Sequence, residues 1–195
     1  MTQISFFDQE DKNELSNEDD LFYWISSHIG RLDSKEKEIL SYIKEYLIEN
    51  ETHELSNEYL NKLHDKNKQR VLGITYTPET IRKKLTLEVL DYYDASKLDK
   101  LKICDPCCGS GLFTLTLIDE LIKHNIDIKK ALKNNIFFYD IDKISVALTL
   151  LNIYIFCKKR NINILNMRLN TGVQNFFDSN QKFDVFITNP PYVKL

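Results

Sequence analysis

The sequence predicts an α/β fold, in which a parallel sheet is preceded by a helical segment. From Val71 onward, apolar runs of strand length alternate with segments of helical period, as in a sheet whose parallel strands are linked by helices. A glycine-rich loop follows the first strand, acidic residues follow the second and Asn-Pro-Pro-Tyr follows the last. A doubly wound sheet binds its ligand beyond the carboxyl ends of its strands. All three groups of residues therefore fall where a ligand would bind.

Composition limits the size and the class of the protein. The 195 residues, 43% of them hydrophobic, suffice for one domain core, or for one core and a small helical module. The longest apolar run, residues 144–157, is shorter than the roughly 20 residues that span a bilayer. The first ten residues lack the features of a signal peptide, so we expect a cytoplasmic protein without a membrane partner. The net charge of −3 argues against strong nucleic-acid binding by the chain alone.

The first predicted region, residues 1–70, is polar, helical in period and without strand signals. Its acidic start is interpreted as a solvated or frayed segment. A helix is predicted from Ser34, a residue type that caps helices, and a second helix from about Ser56. Three histidines lack metal-ligand partners at useful spacing and are interpreted as surface residues: His28, His53 and His64.

The second predicted region, residues 71–195, contains the alternating elements. Helices are predicted at residues 78–92, 111–124 and 142–158. Strands are predicted at residues 101–104, 136–139, 164–169 and 183–188. The carboxyl ends of these four strands meet at one edge of the sheet, because the strands are parallel.

The glycine-rich loop Asp105-Pro106-Cys107-Cys108-Gly109-Ser110-Gly111 follows the first strand and opens a helix. Gly109 and Gly111 allow a tight turn and the close approach of a ligand. A dinucleotide loop would have a third glycine where Thr114 stands, and a phosphate loop would have a lysine. Asp105 favours a ligand with a positive group at this point. The alternative is a tight strand-to-helix turn without a ligand.

Three of the four cysteines lie in or beside this loop. Cys104 and Cys107 have the spacing of a metal-binding pair, but no second pair or nearby histidine completes a tetrahedral set. No metal site is therefore predicted. The thiols are interpreted as reduced groups that fill small spaces.

The second strand ends in Tyr139-Asp140-Ile141-Asp142. A carboxylate at the tip of this strand can accept two hydrogen bonds from a ribose diol, and Asp140 is the candidate. Asp142 is interpreted as the N-cap of the next helix.

Together these motifs resemble a known family. Asp-Pro-x-Cys-Gly-Ser-Gly, an acidic residue after the second strand and Asn-Pro-Pro-Tyr after the fourth resemble an S-adenosylmethionine-dependent DNA adenine N6-methyltransferase of restriction-modification type. Residues 73–78 resemble the aromatic-Thr-Pro element that precedes the glycine loop in one subgroup. The resemblance covers Val71 to Tyr192. It implies a Rossmann-like methyltransferase sheet, of which about four strands are present.

The resemblance implies S-adenosyl-L-methionine as the cofactor. Tyr76, Thr77 and Pro78 would line its methionine end, with Thr77 also capping the following helix and Pro78 in the first turn of that helix; the alternative is a helix cap and nothing more. The loop would hold the amino-acid portion, and the end of the second strand would hold the ribose and one face of the adenine. The residues so implied are Asp105, Pro106, Cys107, Gly109, Gly111, Asp140 and Ile141.

The resemblance also implies a residue that binds the adenine edge after the third strand. The family usually has an Asp followed by an aromatic or aliphatic residue there, whereas this sequence has Asn175-Phe176-Phe177. Asn175 accepts a hydrogen bond as a neutral group, which implies weaker cofactor binding. Asn175 and Phe176 are the candidates, with Asp178 as the alternative.

The resemblance makes Asn189-Pro190-Pro191-Tyr192 the catalytic turn. An adenine amino nitrogen is a poor nucleophile, because its lone pair is delocalised into the ring. Hydrogen bonds to the Asn189 side-chain oxygen and the Pro190 carbonyl would turn it toward tetrahedral geometry, and the two prolines, Pro190 and Pro191, would fix the carbonyl direction. Tyr192 would stack on a base flipped out of the duplex.

Two alternatives remain open. Enzymes that methylate a protein glutamine or ribosomal RNA have similar turns, although the element at residues 76–78 favours DNA. The family's sheet has seven strands and a target recognition domain, and three residues follow Tyr192 here. We therefore expect a truncated or split form, inactive alone, that binds DNA through a missing C-terminal part or a partner subunit, or a cofactor- or partner-binding module. An open fourth strand predicts self-association or a complementing subunit.

Overall fold

The computed structural model describes residues 18–50, 77–178 and 180–190, together with His53, Ser56, Glu58 and Lys62. The helices in this part of the chain are α1 (Glu18–Ile29), α2 (Ser34–Glu49), α3 (Glu79–Tyr92), α4 (Leu112–Lys123), α5 (Ile128–Asn134) and α6 (Lys143–Lys158). The strands are β1 (Ile103–Asp105), β2 (Ile136–Asp140), β3 (Asn170–Val173) and β4 (Val185–Phe186). Two 3-10 helices span Ala95–Lys100 and Phe176–Asp178.

The four described strands form one parallel sheet in the order β3-β2-β1-β4. Ile103 of β1 lies opposite Ile136 of β2 on one side and Val185 of β4 on the other. The predicted parallel α/β sheet is thereby confirmed. The strand order reverses between β1 and β4, so the ligand crevice of such a sheet is expected beyond the carboxyl ends of these two strands.

The helices pack against one face of this sheet. Phe138 and Val185 point into a single core that also contains Leu40 of α2, Ile118 of α4 and Leu151 of α6. The opposite face carries a smaller cluster, whose members are Cys104, Phe137, Tyr139, Phe176 and Phe183. Within the described residues, no helix is both long and apolar enough to cross a bilayer.

The helix predicted from Ser34 is confirmed as α2, but its N-cap is a different residue. Asp33 Oδ1 accepts a hydrogen bond from the Glu36 amide at 2.8 Å, and Glu36 Oε2 accepts one from the Asp33 amide at 2.8 Å. This reciprocal pair is a capping box, in which Asp33 has the role that we predicted for Ser34. Of the helix predicted from about Ser56, most residues lie outside the described part of the chain.

The third strand lies later in the chain than predicted. Residues 164–169 were predicted from their apolar character, but Ile164 and Leu169 are buried in the core as part of a loop. β3 is polar and half-exposed, and its backbone pairs with β2, Asn170 lying opposite Phe137. The apolar pattern therefore identified a segment that is buried in the core. The position of β3 is determined instead by backbone pairing with β2.

Two described helices were not predicted. The acidic residues of the expected solvated start, Glu18, Asp19 and Asp20, form the first turn of α1, where negative charge interacts favourably with the helix dipole. Trp24 and Ile25 of α1 are buried in the main core. α5 is short and rich in lysine, and Asp127 caps it. The predicted boundary at residue 70 lies outside the described residues, and α1 and α2 share one core with the sheet.

His28 is buried, which corrects its interpretation as a surface residue. Its Nε2 accepts a hydrogen bond from the Leu169 amide at 2.9 Å, so its Nδ1 carries the proton and donates to the Trp24 carbonyl at 2.8 Å. The Trp24 indole donates to the Met167 carbonyl at 2.8 Å. The hydrogen bonds to Leu169 and Met167 therefore hold α1 against the segment that precedes β3. His53 is also half-buried, whereas His64 lies outside the described residues.

Burial lowers the pKa of His28, which makes stability depend on pH. Above the unfolded value of about 6.5, both states are neutral. Below it, the unfolded chain binds a proton first, so the free energy of unfolding falls until the pH passes below the folded pKa. We expect His28→Gln to reduce this acid-side loss, although the variant loses about 1–2 kcal/mol at pH 8 with the buried hydrogen bonds.

Urea denaturation at pH 5 and pH 8 measures this difference. His124→Gln is the matched control, because His124 is half-buried at the C-terminal end of α4 and its ring hydrogen-bonds to the Glu120 carbonyl of its own turn. The control should retain the acid-side loss of the unsubstituted chain. An unchanged loss in His28→Gln would contradict the prediction.

Candidate functional site

The candidate site lies where β1, β2 and β4 end. β1 ends at Asp105 and β2 ends at Asp140, and these strands are hydrogen-bonded neighbours. Beyond β4, the Ile187 amide donates to the Cys104 carbonyl at 3.0 Å, so the chain continues beside β1 to its end. Asn189 follows two residues later. The glycine loop, the second-strand carboxylate and the Asn-Pro turn therefore emerge at one edge of the sheet.

The glycine loop has the backbone conformation that its sequence predicted. Gly109 and Gly111 have φ values of +55° and +84°, in the left-handed region that favours glycine. A Cβ atom on Gly111 would lie 2.6 Å from Cγ2 of Thr149, whereas one on Gly109 would meet nothing within 4 Å. Gly111 is therefore required by both conformation and space, but Gly109 by conformation alone.

Two polar residues of α6 support this loop from the protein interior. Thr149 Oγ1 donates to the Gly109 carbonyl at 2.9 Å, and Asn152 Nδ2 donates to the Ser110 carbonyl at 2.8 Å. Both side chains are completely buried. Neither was predicted as a support of the loop, because residues 144–157 were considered only as the longest apolar run. The sequence feature that could have identified them is a pair of polar residues three positions apart in an apolar segment, because this spacing places both on one face of a helix.

We expect Gly111→Ala to lower the free energy of unfolding by at least about 2 kcal/mol, because it combines a strained backbone with a clash against Thr149. Gly109→Ala is the matched control, with a positive φ but open space, and should cost about 1 kcal/mol. Urea denaturation of both variants measures the difference. Equal losses would show that the Thr149 contact does not constrain the loop.

Asp140 already binds two backbone amides. Its Oδ2 accepts from the Gly109 amide at 2.9 Å, and its Oδ1 accepts from the Asp142 amide at 2.9 Å. Burial raises the pKa of Asp140, and these backbone hydrogen bonds partly offset the rise. Each carboxylate oxygen keeps a lone pair for a ligand hydroxyl. Beside it, Ile141 is 64% exposed and offers an apolar surface.

Asp142 has the predicted N-cap role. Its Oδ2 accepts a hydrogen bond from the Ser145 amide at 3.0 Å and another from the Ser145 hydroxyl at 2.8 Å. Asp142 therefore begins α6 directly after the Asp140 turn, which confirms the interpretation as a cap.

Asp105 is a buried carboxyl group with weak hydrogen bonds. It is 3% exposed, and the Cys107 amide and the Thr114 hydroxyl each donate to it at 3.4 Å. Burial raises the pKa of Asp105 to about 7; the neighbouring Thr188 hydroxyl and these two donors lower it, and the charge of Asp140 raises it. A cationic ligand group at the loop would restore the ionised form.

The element before α3 differs from its prediction. Pro78 is the N-cap of α3 rather than a residue of its first turn, and Thr77 lies one position earlier. The Thr77 carbonyl accepts a hydrogen bond from the guanidinium of Arg82, a buried side chain of α3. Thr77 is therefore not the residue at the N-cap position. Tyr76 lies outside the described residues.

The segment after β3 adjoins the Asp140 turn. The Gln174 amide donates to the Asp140 carbonyl at 2.9 Å, and the next residue, Asn175, is exposed. The Phe176 ring packs against that of Phe186 at 5.1 Å between centroids. Asp178, the alternative to Asn175, is also exposed.

The remaining predicted residues divide between the loop and the turn after β4. Pro106 and Cys107 are half-buried in the glycine loop. Asn189 is half-buried and Pro190 is exposed, whereas Pro191 and Tyr192 lie outside the described part of the chain. The described residues contain no group of His, Cys, Asp or Glu side chains that could hold a metal ion.

Comparison with known proteins gives a family match and several relatives. Residues 35–194 match the N-6 DNA Methylase family. The type II methyltransferase M.VspI of Vibrio sp. (strain 343) is 30% identical over 150 residues, which are 74% of this chain and 32% of the relative. The type I restriction enzyme MjaIX methylase subunit of Methanocaldococcus jannaschii is 30% identical over 120 residues, 62% of this chain and 19% of the relative.

A solved structure is also similar. It is assigned as a modification subunit of a type I restriction enzyme from Vibrio vulnificus YJ016, with a TM-score of 0.46 and 20% sequence identity, and the match covers 71% of this chain and 28% of that chain. The chain therefore spans only a third or less of the length of each of these proteins.

Proposed function

The chain belongs to the N-6 DNA methylase family, and from this premise we propose that it is part of a restriction-modification enzyme that methylates the N6 amino group of adenine in DNA. S-adenosyl-L-methionine is the proposed methyl donor. The observation that carries the proposal is the meeting of the glycine loop, Asp140 and Asn189 at the point where strand order reverses.

The described side chains fit the three parts of this cofactor. Asp105 would bind its ammonium group, because a buried carboxylate with long hydrogen bonds gains a cationic partner. Asp140 has one lone pair on each oxygen for the ribose hydroxyls, and Ile141 presents an exposed apolar surface to the adenine. Gly109, where a Cβ atom would meet nothing within 4 Å, keeps the open side of the loop free of a side chain. When bound, the cofactor supplies an electrophilic methyl group.

The Asn-Pro turn would activate the target amine. The Asn189 side-chain oxygen and the Pro190 carbonyl would accept its two hydrogens, which directs the nitrogen lone pair toward the methyl group. The remaining barrier is lowered mainly by positioning, since the turn follows β4 beside the cofactor loop. Tyr192 would stack on the flipped base, as proposed from its motif.

The proposed partners are DNA and a further polypeptide. Relatives of this chain include a protein named as a methylase subunit of a type I restriction enzyme. β4 lies at one edge of the described sheet, and Phe186 on this strand is 50% exposed. An open edge with an exposed aromatic side chain favours pairing with another segment or chain. A role on DNA also favours the cytoplasm as the location.

Two measurements test the proposed function. Calorimetric titration with S-adenosylmethionine tests the cofactor site, and absence of binding at millimolar ligand would contradict it. Transfer from radiolabelled cofactor then tests the substrate on four targets: an adenine-containing duplex, the same duplex with every adenine already N6-methylated, an RNA and a glutamine-containing peptide. We expect label only in the first duplex, and only when the chain is combined with the rest of the proposed enzyme. Label in the RNA or the peptide instead would refute DNA as the substrate.

A further inference from the structure

Thr188 carries a buried hydroxyl group whose hydrogen bonding is incomplete. Its Oγ1 atom is shielded from solvent and has no hydrogen-bond partner of acceptable geometry among the residues that the structure describes. Thr188 stands between Ile187, which still pairs with β1, and Asn189 of the proposed catalytic turn. A buried hydroxyl without a partner costs about 1–3 kcal/mol, so this position calls for an explanation.

The neighbouring Asp105 carboxylate lacks strong donors. Ile187, the residue before Thr188, donates its amide to the carbonyl of Cys104, the residue before Asp105, at 3.0 Å. Burial raises the pKa of Asp105, and the Thr188 hydroxyl lowers it. The Cys107 amide and the Thr114 hydroxyl donate to Asp105 only at long distances, both 3.4 Å. A carboxylate has about four acceptor positions, and a hydroxyl hydrogen rotates to suit its partner. The Thr188 hydroxyl, which lacks an acceptor among the described residues, therefore lies beside the Asp105 carboxylate, whose hydrogen-bond donors are weak.

We infer that Thr188 is a positioning residue for cofactor binding: its hydroxyl donates to the Asp105 carboxylate and holds that group ionised and oriented toward the ammonium group of the methyl donor. This inference rests on the proposed function. Because Thr188 directly precedes Asn189, one short segment would both orient the cofactor site and present the acceptor for the target amine. Thr188 would act through Asp105 and not directly on the reacting nitrogen or the methyl group.

The other groups that face Asp105 act in the opposite direction. Besides burial, the charge of the Asp140 carboxylate at the end of β2 raises the pKa of Asp105. Burial also raises the pKa of the Cys107 thiol in the loop, and the charge of Asp105 adds to this rise. Cys104 and Cys108, in β1 and the loop, stay protonated because burial raises the pKa of each thiol. Loss of the Thr188 donor would therefore move the protonation of Asp105 to higher pH, with no nearby cation in the described residues to compensate.

The first experiment follows the Asp105 carboxyl carbon by 13C NMR as the pH of the unliganded chain is varied. Thr188→Val should shift its titration upward by about one pH unit, because a hydrogen bond to a charged group is lost. Thr188→Ser keeps the hydroxyl and should leave the titration unchanged. Thr171→Val is the matched control, since Thr171 in β3 is another threonine whose buried hydroxyl has no partner among the described residues. Equal titration of Asp105 in Thr188→Val and the unsubstituted chain would overturn the inference.

The second experiment is calorimetric titration with S-adenosylhomocysteine, which has the same amino-acid end but no methyl group to transfer, between pH 6.5 and 8.5. We expect Thr188→Val to bind about tenfold more weakly at pH 7.5 and to recover part of this loss at pH 8.5, where Asp105 is again ionised. Thr188→Ser and Thr171→Val should bind as the unsubstituted chain does. A pH-independent loss would indicate a merely structural role and overturn the inference. Failure of the unsubstituted chain to bind would instead count against the proposed function, and the NMR titration still tests the Thr188 contact.

Discussion

Replacing Asn189 by alanine is expected to lower methyl transfer to adenine by about 100- to 1,000-fold, the usual cost of removing one preorganised hydrogen-bonding group from the transition state. Cofactor affinity should stay within about threefold, because Asn189 follows β4, whereas the proposed cofactor contacts lie before α3 and after β1, β2 and β3. The loss should appear in the rate at saturating cofactor. Single-turnover transfer from radiolabelled S-adenosylmethionine, under conditions in which the unsubstituted protein is active, measures it.

Two further variants test whether the loss of transfer comes from the missing acceptor at Asn189 and not from weaker cofactor binding. Asn189→Asp keeps a side-chain acceptor and should retain more transfer than Asn189→Ala. Asn175→Ala removes the proposed contact to the cofactor adenine, so it should weaken cofactor binding and leave the saturated rate nearly unchanged. If Asn189→Ala kept transfer within tenfold of the unsubstituted protein, the side-chain oxygen would not be the group that activates the amine.

The features that sequence predicted best are those with a local physical cause. Gly109 and Gly111 take positive φ values because the chain turns sharply from β1 into α4, and such a turn is visible in composition. Asp142 caps α6 through a contact with a residue three positions later. The order of these elements, alternating strand and helix, was enough to predict a parallel sheet.

The features that sequence missed depend on distant contacts. β3 is polar because it lies at the edge of the described sheet, so its position follows from pairing with β2 and not from its own pattern. Asn152 looks out of place in the apolar helix α6 until its contact with the Ser110 carbonyl is seen. Likewise, His28 is buried because α1 folds back onto the Leu169 segment. Each of these contacts joins residues at least 33 positions apart, and a short-range sequence pattern cannot reveal such contacts.

Asp105→Asn is expected to weaken cofactor binding by about 100-fold and yet to stabilise the unliganded chain at neutral and higher pH. Burial raises the pKa of Asp105 from 3.8 to about 7. Below about 3.8, both the folded and the unfolded carboxyl groups are protonated. Between these values the folded chain holds a proton that the unfolded chain has lost, so the free energy of unfolding falls as pH rises, by at most on the order of 4 kcal/mol above pH 7. An asparagine avoids that cost but gives the ammonium group no charged partner.

Asp140→Asn distinguishes this effect from a general loss of a carboxylate. Asp140 accepts from two backbone amides, those of Gly109 and Asp142, and an asparagine has only one oxygen to offer them. This variant should therefore be less stable than the unsubstituted chain, although it also loses cofactor affinity. Thermal and urea denaturation at pH 5 and pH 8 would separate the two variants: Asp105→Asn gains stability relative to the unsubstituted chain mainly at pH 8, and Asp140→Asn gains none. If Asp105→Asn were less stable than the unsubstituted chain at pH 8, strong hydrogen-bond donors would already stabilise the Asp105 carboxylate in the unliganded chain. Its charge would then not be left for the ammonium group of the ligand to neutralise.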